Sequence, residues 1–285
     1  METNIKEIIY EYGKNKNKLK KFKSYINQVT EYEDYIIKEY KDRKKAENEL
    51  MWLKRLNALD YDVPKIIDIY NNIIVMEKIE GQTINDDNAK EHLYNIGQLM
   101  ANLHKSPIEI DIDYKKSLKI GYNELKNSVK DIMENHIYET ATKFIESELE
   151  KSKISEISII HKDIRPENVI YSKGKYYLLD LELMEIGDID YDFIRILNLL
   201  NEKQIYQYED FKNLMDGYKS IKNVNLKKEK WQLYNKLYAF RLYSRMLIGK
   251  INRDSKYEEY LKNILISKHD RVTEWIKKYN INRRK

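Results

Sequence analysis

The sequence predicts an α+β chain in two lobes: a small N-terminal antiparallel-sheet lobe with one helix, then a larger, mostly helical C-terminal lobe. Three observations carry this. Residues 24–79 hold four short runs rich in β-branched and aromatic residues, with one amphipathic stretch between the second and third. Beyond Gly81 apolar residues recur at helical spacing instead. A strand-like segment over 157–180 interrupts that helical region around a dense cluster of polar residues. The predicted lobes are residues 1–80 and 81–285, joined by a hinge, since no flexible linker separates them.

Taken in order, residues 1–23 read as a polar, Lys-rich helix or turn. Ser24–Val29 and Asp34–Tyr40 read as a first hairpin, with Lys38 ending the apolar run of its second strand. Ala46, Leu50, Leu53 and Leu56 share one face of a helix over about Arg43–Leu56, and Glu49 lies next to that face. Val63–Tyr70 and Ile73–Ile79 form a second hairpin turning at Asn71-Asn72, because Asn tolerates the positive φ of tight turns. Leu93, Ile96, Met100 and Leu103 then mark a helix ending near His104, and 117–152 hold one or two more. After Asp192 helices are expected over Phe193–Leu200, Tyr208–Tyr218, Glu229–Lys250 and Tyr257–Lys278. Their aromatics, Trp231, Tyr234, Tyr238, Tyr243 and Trp275, read as core before they read as a cation-binding box.

Bulk composition narrows the function. A chain of 285 residues with 42% hydrophobic content can bury a sizeable core, and 8 Gly and 3 Pro exclude a low-complexity protein. Zero Cys excludes disulfides, thiol catalysis and thiolate metal sites, and fits a reducing compartment. A net charge of +5 is small beside 52 basic and 47 acidic residues, so no nucleic-acid partner is expected. Neither a signal peptide nor a stretch of ~20 apolar residues is present, so no membrane partner is expected and a cytoplasmic location is.

The chemistry concentrates in His161-Lys162-Asp163-Ile164-Arg165-Pro166-Glu167-Asn168, a polar loop between Ile157–Ile160 and the strand-like Val169–Tyr171. A hairpin over 169–179, turning at Ser172-Lys173-Gly174-Lys175, would return Asp180 beside that loop. A carboxylate, an amide and a second carboxylate on strand ends suit metal-assisted phosphoryl transfer. In that reading Asp163 accepts the proton of an attacking hydroxyl, and Asn168 and Asp180 hold Mg²⁺, which prefers hard oxygen ligands and takes the rest from phosphates. The competing reading is a polar turn with an Asn cap. His161 is expected to pack and hydrogen-bond the backbone.

These residues resemble the aminoglycoside phosphotransferase and choline kinase superfamily, which shares the two-lobed protein-kinase-like fold. The resemblance lies in His161-x-Asp163 to Asn168, in Leu179-Asp180-Leu181-Glu182, and in Gly187-Asp188-Ile189-Asp190-Tyr191-Asp192-Phe193. It implies an N-terminal nucleotide-binding lobe and a C-terminal catalytic and acceptor-binding lobe. It implies that Asp192 braces the catalytic loop, though Asp192 would also serve as a helix N-cap. By the same resemblance Lys38 pairs nucleotide phosphates and Glu49, with Glu47 as rival, holds Lys38. Met76–Gly81 is similar to the strand whose backbone reads adenine, which puts Glu77 and Ile79 at the base. Two positions depart from the pattern. The nucleotide loop Lys23–Val29 has no Gly, which leaves Ser24 and Asn27 to offer side-chain hydrogen bonds, and Lys162 fills a place usually held by Gly.

The resemblance implies a Mg²⁺-dependent transfer of the γ-phosphate of ATP or GTP to a hydroxyl of a small molecule. An aminoglycoside-type antibiotic is the first expectation, with choline, ethanolamine or a sugar as alternatives and a pseudokinase-like scaffold as the non-enzyme rival. The acidic run Glu182, Glu185, Asp188 and Asp190 would favour a cationic acceptor if it faced the bound acceptor, and would say nothing if solvated. The absence of Asp-Phe-Gly and Ala-Pro-Glu sequences argues against a protein kinase.

Overall fold

A computed structural model of the chain describes residues 10, 19–22, 27–108, 112–154, 156–251, 254–267 and 270–282. The expected N-terminal helix or turn, apart from residues 10 and 19–22, and the loop residue Ser24 lie outside them. In chain order the elements are β1 (Lys21–Phe22), β2 (Gln28–Tyr32), β3 (Tyr35–Glu39), α1 (Arg43–Ala58), β4 (Ile66–Tyr70), β5 (Ile73–Glu77) and β6 (Gln82–Thr83). There follow α2 (Ala89–His104), α3 (Tyr114–Val129), α4 (Asn135–Lys151), β7 (Ile157–Ile160), β8 (Val169–Ser172) and β9 (Lys175–Leu178). The chain ends with β10 (Glu185–Asp188), α5 (Ile189–Glu202), α6 (Tyr208–Lys219), α7 (Lys228–Leu247), α8 (Ser255–Ile266) and α9 (Arg271–Asn282). This is the α+β architecture that the sequence predicts, an antiparallel sheet with one helix before a helical remainder.

The chain divides into two compact units, one of residues Met1–Ala89 with Pro166–Met184, the other of Lys90–Arg165 with Glu185–Lys285. In the first, five antiparallel strands lie in the order β1-β2-β3-β5-β4. Strand β2 runs past Val29 to Tyr32 because the chain reverses at Glu33-Asp34, with Glu33 in the left-handed region at φ 52°. Asn71, at φ 54°, turns β4 into β5 as its residue type suggests. Ile37 and Val75 are fully buried in adjacent strands, packed by Tyr32, Tyr35 and Ile73. Helix α1 is capped by the Asp42 side chain, which accepts from the Lys44 N–H, and buries Ala46, Glu49, Trp52, Leu53 and Leu56.

The excursion Pro166–Met184 carries the hairpin β8–β9, which turns through Lys173 at φ 49° and Gly174 at φ 85°. Its first strand, β8, also pairs with β6, which completes a small three-stranded sheet with β8 in the middle. Trp52 Nε1 donates to the Met184 carbonyl at 2.9 Å and Asn48 Nδ2 to the carbonyls of Glu182 and Met184, both at 3.0 Å. Those bonds fasten α1 to the segment after Asp180.

In the second unit β7 pairs antiparallel with β10, a strand hidden in the acidic run. The region 117–152 is two helices, α3 and α4. The single helix expected over Tyr257–Lys278 is instead two, α8 and α9. Asp270 starts the second by accepting the Thr273 N–H at 2.8 Å, an N-cap that the apolar periodicity on either side conceals. Trp231, Tyr234, Tyr238 and Tyr243 are buried along α7.

Candidate active site

In the first unit the chemistry begins with Lys38. Alternation along β3 turns its side chain inward, and burial on α1 brings Glu49 to meet it. Nζ donates to Glu49 Oε2 at 2.6 Å and to Asp180 Oδ1 at 2.5 Å, with Glu182 Oε2 at 3.7 Å. Burial alone would lower the Lys38 pKa. The attraction of Glu49, Asp180 and Glu182 outweighs it and holds the ammonium well above the ordinary lysine range. Burial raises the Glu49 pKa, with Lys38 opposing and Asp180 adding to the rise. Tyr40 Oη donates to the same Glu49 oxygen at 2.5 Å.

Asp180 adopts φ 62°, in the left-handed region that suits Asn, Asp and Gly. Asn168 ends a single 3₁₀ turn, Pro166–Asn168, and its carbonyl accepts the Leu179 N–H at 2.9 Å, so the amide-bearing turn and the start of the Asp180 segment are tied together. Glu49, Asp180 and Glu182 each bring one carboxylate oxygen within 4.8 Å of the others. These oxygens surround the Lys38 ammonium, and hard carboxylate oxygens of this kind suit a divalent cation of the Mg²⁺ class.

Asn27, just before β2, is buried, and its Nδ2 donates to Glu182 Oε2 at 2.5 Å while its Oδ1 has no hydrogen-bond partner. Glu182 also takes Lys45 Nζ at 2.5 Å. Glu77 uses its N–H on the Lys65 carbonyl at 2.9 Å, and its carboxylate accepts the Lys65 N–H at 3.0 Å. Ile79 lies just past the end of β5.

In the second unit Asp163 follows β7. The backbone around it is set by Asp192, on the first turn of α5, whose Oδ2 accepts the His161 N–H at 2.9 Å and whose Oδ1 accepts the Lys162 N–H at 2.6 Å. His104 Nε2 lies 3.1 Å from the same Oδ2, and its Nδ1 meets Tyr218 Oη at 2.8 Å. Burial would raise the Asp192 pKa. The His104 hydrogen bond and charge, then His161, reverse this and hold the carboxyl below its usual range. His161 is fully buried, and its Nδ1 accepts the Asp163 N–H at 3.3 Å. The helix cap is Asp188, not Asp192, since Asp188 accepts from the Asp190 N–H. Lys162 takes φ 66°, the conformation for which Gly is the easy choice.

Asp163 Oδ1 receives Arg195 Nε at 2.5 Å, and Oδ2 faces Arg165 Nε at 3.6 Å. Sequence reasoning did not single out Arg195, Lys45 or Tyr40. Helical spacing places Arg195 one turn beyond Asp192, but no periodicity says that a cation should point back at the loop.

The sequence profile of the phosphotransferase enzyme family matches residues 21–220. No curated protein sequence matches the chain. Similar solved structures include a choline/ethanolamine kinase family protein from Mesorhizobium loti, 13% identical over 92% of each chain with a TM-score of 0.71. The ADP-bound aminoglycoside phosphotransferase APH(2'')-Ib is 17% identical over 94% of this chain and 98% of that one, with a TM-score of 0.61. The amicoumacin kinase hAmiN, in complex with AMP-PNP, Ca²⁺ and Ami, is 13% identical over 93% and 94%, with a TM-score of 0.64. At these identities the likeness shows the protein-kinase-like fold.

Proposed function

The chain belongs to the phosphotransferase enzyme family, and from that premise we propose that it transfers the γ-phosphate of ATP or GTP to a hydroxyl of a small molecule, with Mg²⁺ as the metal. The observation that carries this is the ammonium of Lys38 held between Glu49 at 2.6 Å and Asp180 at 2.5 Å. A buried cation on a strand, held by carboxylates from a helix and from the segment after a distant hairpin, adds little stability over apolar packing of the same volume. It suits an anionic ligand that arrives later.

In this reading Lys38 binds the α- and β-phosphates while Glu49 keeps its Nζ in place, and Asn27 contributes a side-chain contact where Gly is absent. The backbone at Glu77 and Ile79 faces the base. Asn168 and Asp180 would hold the Mg²⁺, which supplies charge neutralisation at the phosphate oxygens. Asp163 orients the acceptor hydroxyl and takes its proton as the oxygen bonds to the γ-phosphorus and the nucleoside diphosphate leaves. Asp192 fixes the loop through the His161 and Lys162 amides without touching substrate. Use of a nucleoside triphosphate accords with the expected cytoplasmic location. Among the described residues no helix is long and apolar enough to cross a membrane.

The acceptor classes under this reading are aminoglycoside-type antibiotics, choline or ethanolamine, and sugars. One observation favours the uncharged end of that series. The acidic run, which would favour a cationic acceptor only if it faced one, is internally paired: Glu182 with Lys45 and Asn27, Glu185 with Lys162 at 2.8 Å, Asp188 and Asp190 with Lys230 at 2.5 and 3.0 Å.

The test is Asp163→Asn in the full chain with Mg·ATP and kanamycin, choline, ethanolamine and glucose as probe acceptors. Acceptor-dependent ADP release should fall by about 10²–10⁴-fold, the usual worth of a general base. Turnover equal to that of the parent chain would remove the assignment.

A further inference from the structure

Resting on the phosphotransferase reading, we infer that the acceptor is uncharged or anionic around its reacting hydroxyl, and that Arg195 and Arg165 enforce this by flanking Asp163. Both carboxylate oxygens of Asp163 face a guanidinium, Arg195 at 2.5 Å and Arg165 at 3.6 Å. One carboxylate between two guanidinium groups leaves the cluster net positive. All three side chains are partly open to solvent, at 15%, 26% and 30% for Asp163, Arg195 and Arg165, so an acceptor can reach them.

The two arginines differ in what they have left to give. Arg195 is committed. Its Nε is on Asp163, its Nη1 donates to Tyr238 Oη, and its guanidinium lies over the Tyr238 ring at 5.4 Å. Tyr238 Oη is in turn 3.3 Å from Tyr257 Oη, so an aromatic brace fixes the guanidinium. Arg165 is not committed in the same way: its Nε is shielded from solvent and has no hydrogen-bond partner. The rest of its guanidinium, on a side chain 30% exposed, is open to an oxygen of an incoming ligand.

The nearby charges do not offset this excess. Lys162 pairs with Glu185 and lies 5.8 Å from the Tyr191 ring centroid. Asp188 is buried and held by Lys230 and by Tyr234 Oη at 2.6 Å, and Asp190 is held by Lys230. Asp192 is spent on His104 and the loop amides. Glu202, which acts electrostatically on Tyr257 and Tyr260, is a solvent-exposed carboxylate. A polycationic amino sugar would bring its ammonium groups against two guanidinium groups. A neutral polyol meets donors for its oxygens, and a hydroxy acid or sugar phosphate gains charge-assisted bonds to Arg165 and Arg195.

The test uses the full chain with Mg·ATP and three arms of probe acceptors: kanamycin with choline, glucose with glycerol, and D-glycerate with glucose 6-phosphate. Acceptor-dependent ADP release should appear in the second or third arm, with kcat/KM at least about 10-fold above the first, the worth of one charge-assisted hydrogen bond. Arg195→Glu should raise KM for the preferred probe by about 10–100-fold and narrow or reverse the order of the arms, while Arg195→Lys, which keeps the charge, should preserve the order. Should Arg195→Glu fail to fold, Arg165→Gln gives the same readout for the third arm. Turnover of kanamycin or choline with a kcat/KM above every neutral and anionic probe overturns the inference. Absence of turnover in all arms, while Mg·ATP still raises the Tm, also overturns it and leaves the phosphotransferase reading standing. Absence of any Mg·ATP effect removes that reading and the inference with it.

Discussion

Asp192 shows how much one side chain can set. A single buried carboxylate receives the His161 and Lys162 amides and the His104 ring, so it replaces water for two loop N–H groups that would otherwise be unpaired. Its folded pKa lies below the unfolded value, so its contribution is present above the ordinary carboxylate range and is lost as pH falls through that range toward the folded value. Asp192→Asn would turn an NH₂ against a backbone N–H. Denaturation at pH 7 should show a loss of about 3–5 kcal/mol, as for breaking a buried charged network, and the gap to the parent chain should hold down to about pH 4 and narrow below it. A gap that stays constant below about pH 4 would mean that packing, not the charge, carries the effect. Lys162 is the companion case. It fills a place usually held by Gly in the sequences it resembles, and its φ of 66° is the conformation that Gly takes most easily. Lys162→Gly should relieve about 1 kcal/mol of backbone strain and forfeit an ion pair of similar or smaller worth, so the melting temperature should change little.

At the scale of elements, what was legible was what is local. The hairpins announced themselves through Asn71 and Gly174, and α1 through Ala46, Leu53 and Leu56, because turn chemistry and periodicity act over a few residues. Strand β10 was not legible. Glu185-Ile186-Gly187-Asp188 reads as an acidic loop until β7 pairs with it, and that pairing is non-local. The same holds for the site: Asp163, Asn168 and Asp180 share a motif, whereas Arg195 and Lys45 reach their carboxylates by helix orientation that no spacing encodes. The packing of α2 on α6 is a third non-local fact. A Cβ on Gly97 would fall 2.2 Å from the Leu214 carbonyl oxygen and one on Gly217 would fall 1.9 Å from that of Tyr94, so the helices touch backbone to backbone at both glycines. Gly217→Ala must push α6 away and should cost about 1–3 kcal/mol or more, measurable by urea unfolding. An unchanged midpoint would mean that the helices part without loss.

At the scale of the whole molecule, the first unit is discontinuous in sequence. The chain leaves it near Ala89, returns at Pro166 and departs again after Met184. The sequence alone proposes a boundary near residue 80, and the returning segment gives that boundary a sharp test. Without residues 166–184, Lys38 keeps Glu49 but loses Asp180 and Glu182, Lys45 loses Glu182, and Asn48 and Trp52 lose the carbonyls of Glu182 and Met184. Strand β6 loses β8, and Asp62 loses both the Leu178 N–H and Lys175. A buried lysine stripped of two of its three carboxylates costs several kcal/mol, and the orphaned polar groups add about 1–3 kcal/mol each, against a total stability of about 5–15 kcal/mol for a typical domain. A fragment of residues 1–89 should therefore show no cooperative unfolding transition by circular dichroism. Adding Mg·ATP should not restore one, because Asn168 and Asp180, the proposed Mg²⁺ holders, are on the missing segment. A fragment that melts cooperatively would show that the sheet and α1 suffice, and that Pro166–Met184 is an accessory to the first unit and not part of its core.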